Sequence, residues 1–122
     1  MRRLAAAFLL LAILLAGCAS RAADERRARA DLVKRLEAAV TTRARMQAAA
    51  GVFKGPVLRT RCDPALGTDQ NDLTELAGRY RCIAITYETR FNYTGEIYLA
   101  MVDYRHRTFR FRRYKIPLYL GV

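Results

Sequence analysis

Apolar and polar positions divide the chain into three stretches with different periods. Leu4 to Ala16 is an unbroken apolar run of thirteen residues (LAAAFLLLAILLA) behind the basic start Met1-Arg2-Arg3. From Asp24 to Ala50 there is no Pro or Gly and Ala is abundant, so the stretch predicts a helix. Within it Leu32, Val33, Leu36, Val40 and Ala44 recur at helical spacing and form one apolar stripe. The stripe is only three or four turns long and the polar face is mixed in sign, which suits packing on the protein's own sheet better than a coiled coil or a membrane surface. Glu25 with Arg29, and Asp31 with Arg35, are i,i+4 pairs in the favourable order. Gly51 supplies the stop.

After Gly51 the period switches to two, and β-branched and aromatic residues take over. Four strands are predicted: Pro56 to Cys62, Arg79 to Arg90, Glu96 to Tyr104 and Thr108 to Tyr114. In the second, Arg81, Ile83, Ile85 and Tyr87 alternate with Tyr80, Cys82, Ala84 and Thr86. In the third, Ile97, Leu99 and Met101 oppose Tyr98, Ala100 and Val102. The fourth sets Phe109 and Phe111 against Arg110 and Arg112. Phe91 to Gly95 and Arg105 to Arg107 read as the hairpin turns. Between the first two strands, Asp72-Leu-Thr-Glu75 has the form of a capping box that opens a short helical turn, with Gly78 closing it. The same stretch begins like a calcium loop at Asp69, but position six is Thr74 rather than Gly and the distal Glu is missing, so turn chemistry is the better reading.

The 122 residues suffice for a single domain, and 52% hydrophobic with 27% charged residues is a globular composition. The expected fold class is α+β: one N-terminal helix packed on a four-stranded antiparallel meander. Such a sheet can be covered on one face and wet on the other. It is similar to cystatin-like folds in element order alone; the cystatin binding motifs are not found, and no activity carries over.

The apolar run at the N-terminus is shorter than the ~20 residues that span a bilayer core, and with its basic front it has the proportions of a secretory signal peptide. Leu15-Ala16-Gly17-Cys18 resembles the lipobox of bacterial lipoproteins. That resemblance covers residues 1–18 only. It implies cleavage before Cys18, a diacylglycerol on the Cys18 thiol and commonly a further acyl group on its amine. Two or three acyl chains anchor stably where one does not. Ala19 is not the Asp that resembles an inner-membrane retention signal, so the outer membrane is favoured where the organism has one, and otherwise the outer face of the cell membrane. The polar context of a twin-arginine signal is missing around Arg2-Arg3. The domain layout expected is a signal peptide at 1–17, a lipid-anchored tether grading into helix at 18–30, and one small α+β domain at 31–122. Removal of residues 1–17 takes two arginines with it, and the net charge falls from +11 to +9.

Two cysteines then remain for folding, Cys62 and Cys82. Outside the cytosol an even pair in a small domain reads as a disulfide. Closing a loop of about 20 residues contributes roughly 3 kcal/mol on the chain-entropy account. Two thiolates and one distant His do not complete a metal site, and no cofactor is implied.

Candidate chemistry is thin. One His (His106) and one Ser (Ser20) exclude a Ser-His-Asp triad and any His pair within the chain. Glu88 and Glu96 flank one hairpin, but two solvent-facing acids beside Arg90 are the commoner arrangement, so an enzyme is only a minor alternative. Tyr104 to Lys115 (YRHRTFRFRRYK) is more informative: Arg105, Arg107, Arg110, Arg112, Arg113 and Lys115 stand there with no acid among them. Arginines interleaved with aromatics suit phosphates and bases. An exported, tethered protein meets little nucleic acid, so the anions to consider are phospholipid headgroups, lipopolysaccharide and wall polymers. Arg outnumbers Lys 19 to 3, and an arginine-rich edge also keeps a strand soluble. The expected function is therefore a non-catalytic binding or accessory module for a protein or envelope component, with an anion-binding module as the alternative.

Overall fold

The computed structural model describes residues 2–115, with side chains from Leu4 onward; the basic start at Met1 to Arg3 lies outside the described side chains. One helix, α1 (Arg2–Ala49), precedes four strands: β1 (Arg59–Pro64), β2 (Ala77–Glu88), β3 (Tyr93–Asp103) and β4 (Thr108–Arg113). The strands form one antiparallel sheet in the order β1-β2-β3-β4, and α1 crosses one of its faces. The fold is α+β, as the periodicities require.

α1 is longer than the expected helix, because residues 2–23 are helical too. Ala and Leu dominate that segment, and Gly17 costs only about 1 kcal/mol against Ala, too little to break the run. The stretch at 18–30 grades from an exposed helix into a packed one. Packing begins at Glu25 and Arg29, ahead of the boundary expected at residue 31. The helix ends at Gly51, which takes φ 78°. The Val52 amide donates to Gln47 O at 2.9 Å and the Gly51 amide to Ala48 O at 3.0 Å, the paired bonds of a Schellman cap.

The stripe Leu32, Leu36, Val40 and Ala44 is wholly buried. It meets Tyr80, Cys82 and Ala84 of β2 and Tyr98, Ala100 and Val102 of β3, with Phe109 and Phe111 of β4 half-buried at the margin. Each fully buried large apolar side chain stabilises by about 1.5–3 kcal/mol. The bulkier alternates Ile83, Ile97, Leu99 and Met101 face away from the helix. Three phenols therefore line the inner face, each with a partner: the Tyr80 and Tyr104 hydroxyls are 2.7 Å apart, and the Tyr98 hydroxyl bonds Gln47.

Strand ends moved for local reasons. β1 begins at Arg59, since Pro56 has no amide to give to a ladder, and it continues to Pro64 at the end of an edge strand, where Pro is tolerated. β3 begins at Tyr93 because the hairpin turn is tighter than expected: the Thr89 amide donates to Asn92 O at 2.8 Å, and the Thr89 hydroxyl bonds the Asn92 amide oxygen at 2.7 Å. Gly95 is part of β3, opposite Ile85, where the register shifts between Ile85 and Tyr87. A Cβ there would lie 2.1 Å from Ala84 O, so the bulge requires glycine.

The helical turn expected at Asp72–Glu75 does not form. The Asp72 carboxylate accepts from the Thr74 amide at 3.0 Å and the Thr74 hydroxyl at 2.6 Å, a local turn that competes with a capping box. Gly78 lies inside β2 rather than ending a helix, and a Cβ there would stand 2.3 Å from the Tyr104 hydroxyl oxygen.

Candidate functional site: the outer face of the sheet

The six basic residues of the C-terminal segment do not act as one patch. Period two sends Arg113 toward the helix side and Arg110 and Arg112 to the open face, while Arg107, in the β3–β4 turn at φ 55°, reaches the helix from there. Arg107 forks onto the Glu25 carboxylate of α1 at 3.1 and 2.5 Å. The guanidinium of Arg107, and after it that of Arg29, hold the Glu25 carboxyl below its ordinary value, and Arg107 itself is pushed up by the same pair. Arg113 binds Glu96 at 3.0 Å and its guanidinium stacks 5.4 Å from the Phe53 ring. Those two arginines join the layers of the fold. Arg105 lies exposed on the β3–β4 turn, and Lys115 is exposed beyond β4. In the same turn the Asp103 carboxylate accepts from the His106 amide at 3.0 Å and meets the His106 ring at 2.8 Å, which keeps the carboxyl low.

Arg110 and Arg112 gain different neighbours. Register places Arg110 beside Met101, with Arg79 beyond it on β2. Arg112 lies beside Leu99, with Arg81 beyond that. Four arginines thus stand at the corners of a rectangle about 10 Å across three strands and about 7 Å along them. Leu99 and Met101 floor the rectangle, and Ile83 and Ile97 extend the apolar strip along the strands. The face is an open trough with a volume of about 1120 Å³, lined also by Asp63, Pro64, Ala65 and Leu66 at its β1 side. Asp63, the acid on this lining, is engaged by Arg61 at 3.0 Å. Among the described residues Arg79, Arg81, Arg110 and Arg112 make no ion pair.

Guanidinium groups remain charged at any pH the protein meets, and their planar forks match phosphate and carboxylate oxygens in pairs. Four of them stand around an apolar floor, so paired donors and apolar surface lie side by side. Arg79 and Arg81 were not singled out as site residues in the sequence. Their signal was present: they repeat the i,i+2 spacing of Arg110 and Arg112, opposite the same apolar strand. What the sequence lacked was the register that sets the two pairs across from one another.

The acids weighed for catalysis are apart and occupied. Glu88 binds Arg59 at 2.5 Å, and that guanidinium lowers its carboxyl; Glu96 faces Arg113 and pairs in register with Ala84. Among the described residues no three His, Cys, Asp or Glu side chains converge as a metal cluster would require.

Cys62 and Cys82 are directly opposed in the β1–β2 ladder and joined by a disulfide, with Cα atoms 4.0 Å apart. The bridge lies mid-strand on the helix side, and the Cys62 amide donates to Glu37 of α1 at 3.1 Å. Cys18 is a free, exposed thiol on α1. The residues around it, Leu4 to Ser20, are exposed, and this part of α1 is long and apolar enough to cross a membrane by length and composition, a test that a signal sequence also passes.

Comparison with protein-family models, curated proteins and solved structures found no match to this chain.

Proposed function

We propose that this chain is a lipid-anchored, non-catalytic binding module of the cell envelope, and that its contact surface is the outer face of the sheet. Support for the anchor comes from residues 1–18: a basic start, an apolar run and the Leu15–Cys18 signal, with every described side chain from Leu4 to Cys18 exposed on α1. Support for the contact surface comes from one observation above the rest. Arg79, Arg81, Arg110 and Arg112 surround the half-buried Leu99 and the exposed Met101 and make no ion pair among the described residues, with Asp63, opposite Arg81, held by Arg61. A solvated arginine edge needs no such floor, and a hidden core face would not carry such charge. An anionic envelope component with apolar parts satisfies both.

The experiment replaces Arg110 and Arg112, or Arg79 and Arg81, by Gln in the full chain. Each pair is exposed, so stability should change by no more than about 0.5 kcal/mol. Binding to anionic vesicles or wall polymer should weaken in both variants, and wild-type binding should fall steeply as salt rises. Unaltered binding in both variants, at low and physiological salt, would return these arginines to the role of a soluble edge. A protein partner seated on the Ile83, Ile97, Leu99 and Met101 strip is the second reading, favoured by that strip alone; its binding would depend little on salt. The anchor is tested by Cys18→Ala, which should abolish labelling by a fatty-acid probe. Wild-type protein recovered unlipidated in the soluble extracellular fraction would remove it.

A further inference from the structure

α1 enters the body at one defined end of the sheet. Arg29 donates to the carbonyls of Asp72, Leu73 and Glu75, and Arg107 reaches Glu25, so the β1–β2 loop and the β3–β4 turn gather around this part of the helix. The β2–β3 turn and the α1–β1 connection lie at the other end. Cys18 precedes Glu25 by two helical turns, an axial rise of about 10 Å. A lipid on Cys18 therefore keeps the loop end of the domain close to the headgroups. At that end Leu66, on the β1–β2 loop, is fully exposed, and Leu76 is 59% exposed.

The trough reaches this end. Its lining runs from Arg110 and Met101 past Arg79 to Ala65 and Leu66, so apolar surface continues from the loop tip into the floor between the arginines. The loop's own acids, Asp69, Asp72 and Glu75, offset the arginines near the turn, which weakens any general attraction of this end to an anionic surface. Inside the trough four arginines outnumber its one lining acid, Asp63, which faces Arg81 across the β1–β2 ladder and bonds Arg61.

We propose that the anion taken by the trough is the headgroup of a membrane phospholipid of net negative charge, which enters at the Leu66 end with its phosphate toward the four arginines and its acyl chains along the apolar floor. This rests on the anion-binding surface proposed above and adds its source, the membrane to which the protein is attached. The match is chemical: a phosphate is both small enough for a fork of guanidinium donors and attached to the apolar bulk that Leu99 and Met101 would cover. A free polyanion uses the arginines but gains nothing from the floor.

The chain contains no Trp, so a single introduced Trp reports from one place. Three variants of the full lipidated protein are reconstituted in vesicles of phosphatidylcholine with a minor share of phosphatidylglycerol: Met101→Trp in the trough, Leu66→Trp at its mouth and Phe91→Trp on the opposite turn. Either lipid carries bromine on its acyl chains as a quencher. Brominated phosphatidylglycerol should quench most of the emission at position 101, and brominated phosphatidylcholine little of it. Position 66 should be quenched by both, and position 91 by neither. Emission at 101 untouched by either lipid, or quenched equally by both, overturns the proposal. The binding reading is judged separately in detergent, with polyphosphate as the probe. Polyphosphate bound through the four arginines, with position 101 unquenched in vesicles, would retain the anion surface and exclude the lipid; no binding in either format would remove both.

Discussion

Arg29 is the buried charge that ties the β1–β2 loop to the helix, and Arg29→Met tests how much of the fold depends on it. Its side chain is only 8% exposed. It donates to Glu25 at 2.9 Å and to the carbonyls of Asp72, Leu73 and Glu75 at 3.2, 3.0 and 2.9 Å. Its guanidinium also lies 4.1 Å from the centroid of the Tyr104 ring. Met fills a similar volume and keeps the stacking area, so the change isolates the polar contacts. Removing one member of a buried hydrogen-bonded charge network costs roughly 3–5 kcal/mol. Here the loss belongs at the lower end, because Glu25 retains Arg107 and water can reach the loop carbonyls. For a domain of this size each kcal/mol moves the melting temperature by about 4–8 °C, so a fall of roughly 12 °C or more is expected. Thermal unfolding followed by circular dichroism gives the magnitude. Hydrogen exchange should show the largest gain over residues 65–76. Arg29→Lys should recover only part of the stability, since an ammonium cannot fork onto three carbonyls. A melting temperature within about 4 °C of wild type, the equivalent of about 1 kcal/mol, would refute the clamp.

Three further outcomes are expected. Gly95→Ala drives a methyl group into the Ala84 carbonyl and should cost about 1–3 kcal/mol in chemical denaturation, whereas the exposed neighbour Thr94→Ala should be nearly neutral; equal effects would show that the bulge adapts. The Glu25 carboxyl is held below its ordinary 4.5 by Arg107 and then Arg29, so its share of stability is complete above that value and is lost as pH falls through the lowered one. The stability gap between wild type and Glu25→Gln should accordingly close under acid; a gap that stays constant with pH would contradict the pairing. Intact mass under oxidising conditions should be lighter by two hydrogen atoms than after reduction, and reduction should cost roughly 3 kcal/mol for the 20-residue separation. Two freely alkylated thiols would exclude the bridge.

Periodicity alone determined the class of the fold. A stripe at 3.6 from Leu32 to Ala44 and alternation after Gly51 leave one helix and four strands, and strands consecutive in sequence pair as neighbours. The Cys62–Cys82 bridge was legible for the same reason: consecutive antiparallel strands bring those positions together. Which face of the sheet the helix covers was not legible. Ile83, Ile97, Leu99 and Met101 are more apolar than Tyr80, Cys82 and Ala84, yet they lie outside. The inner face won because it carries the disulfide and Ala84 and Ala100, small enough for close approach of the helix, while its phenols found partners in Gln47 and in each other. Charge was legible as a count and not as a site. Alternation was enough to separate Arg110 and Arg112 from the phenylalanines, but ion pairs are long-range in sequence. Only the folded chain assigned Arg107 to Glu25 and Arg113 to Glu96, and only the strand register brought Arg79 and Arg81 across β3 to complete the rectangle.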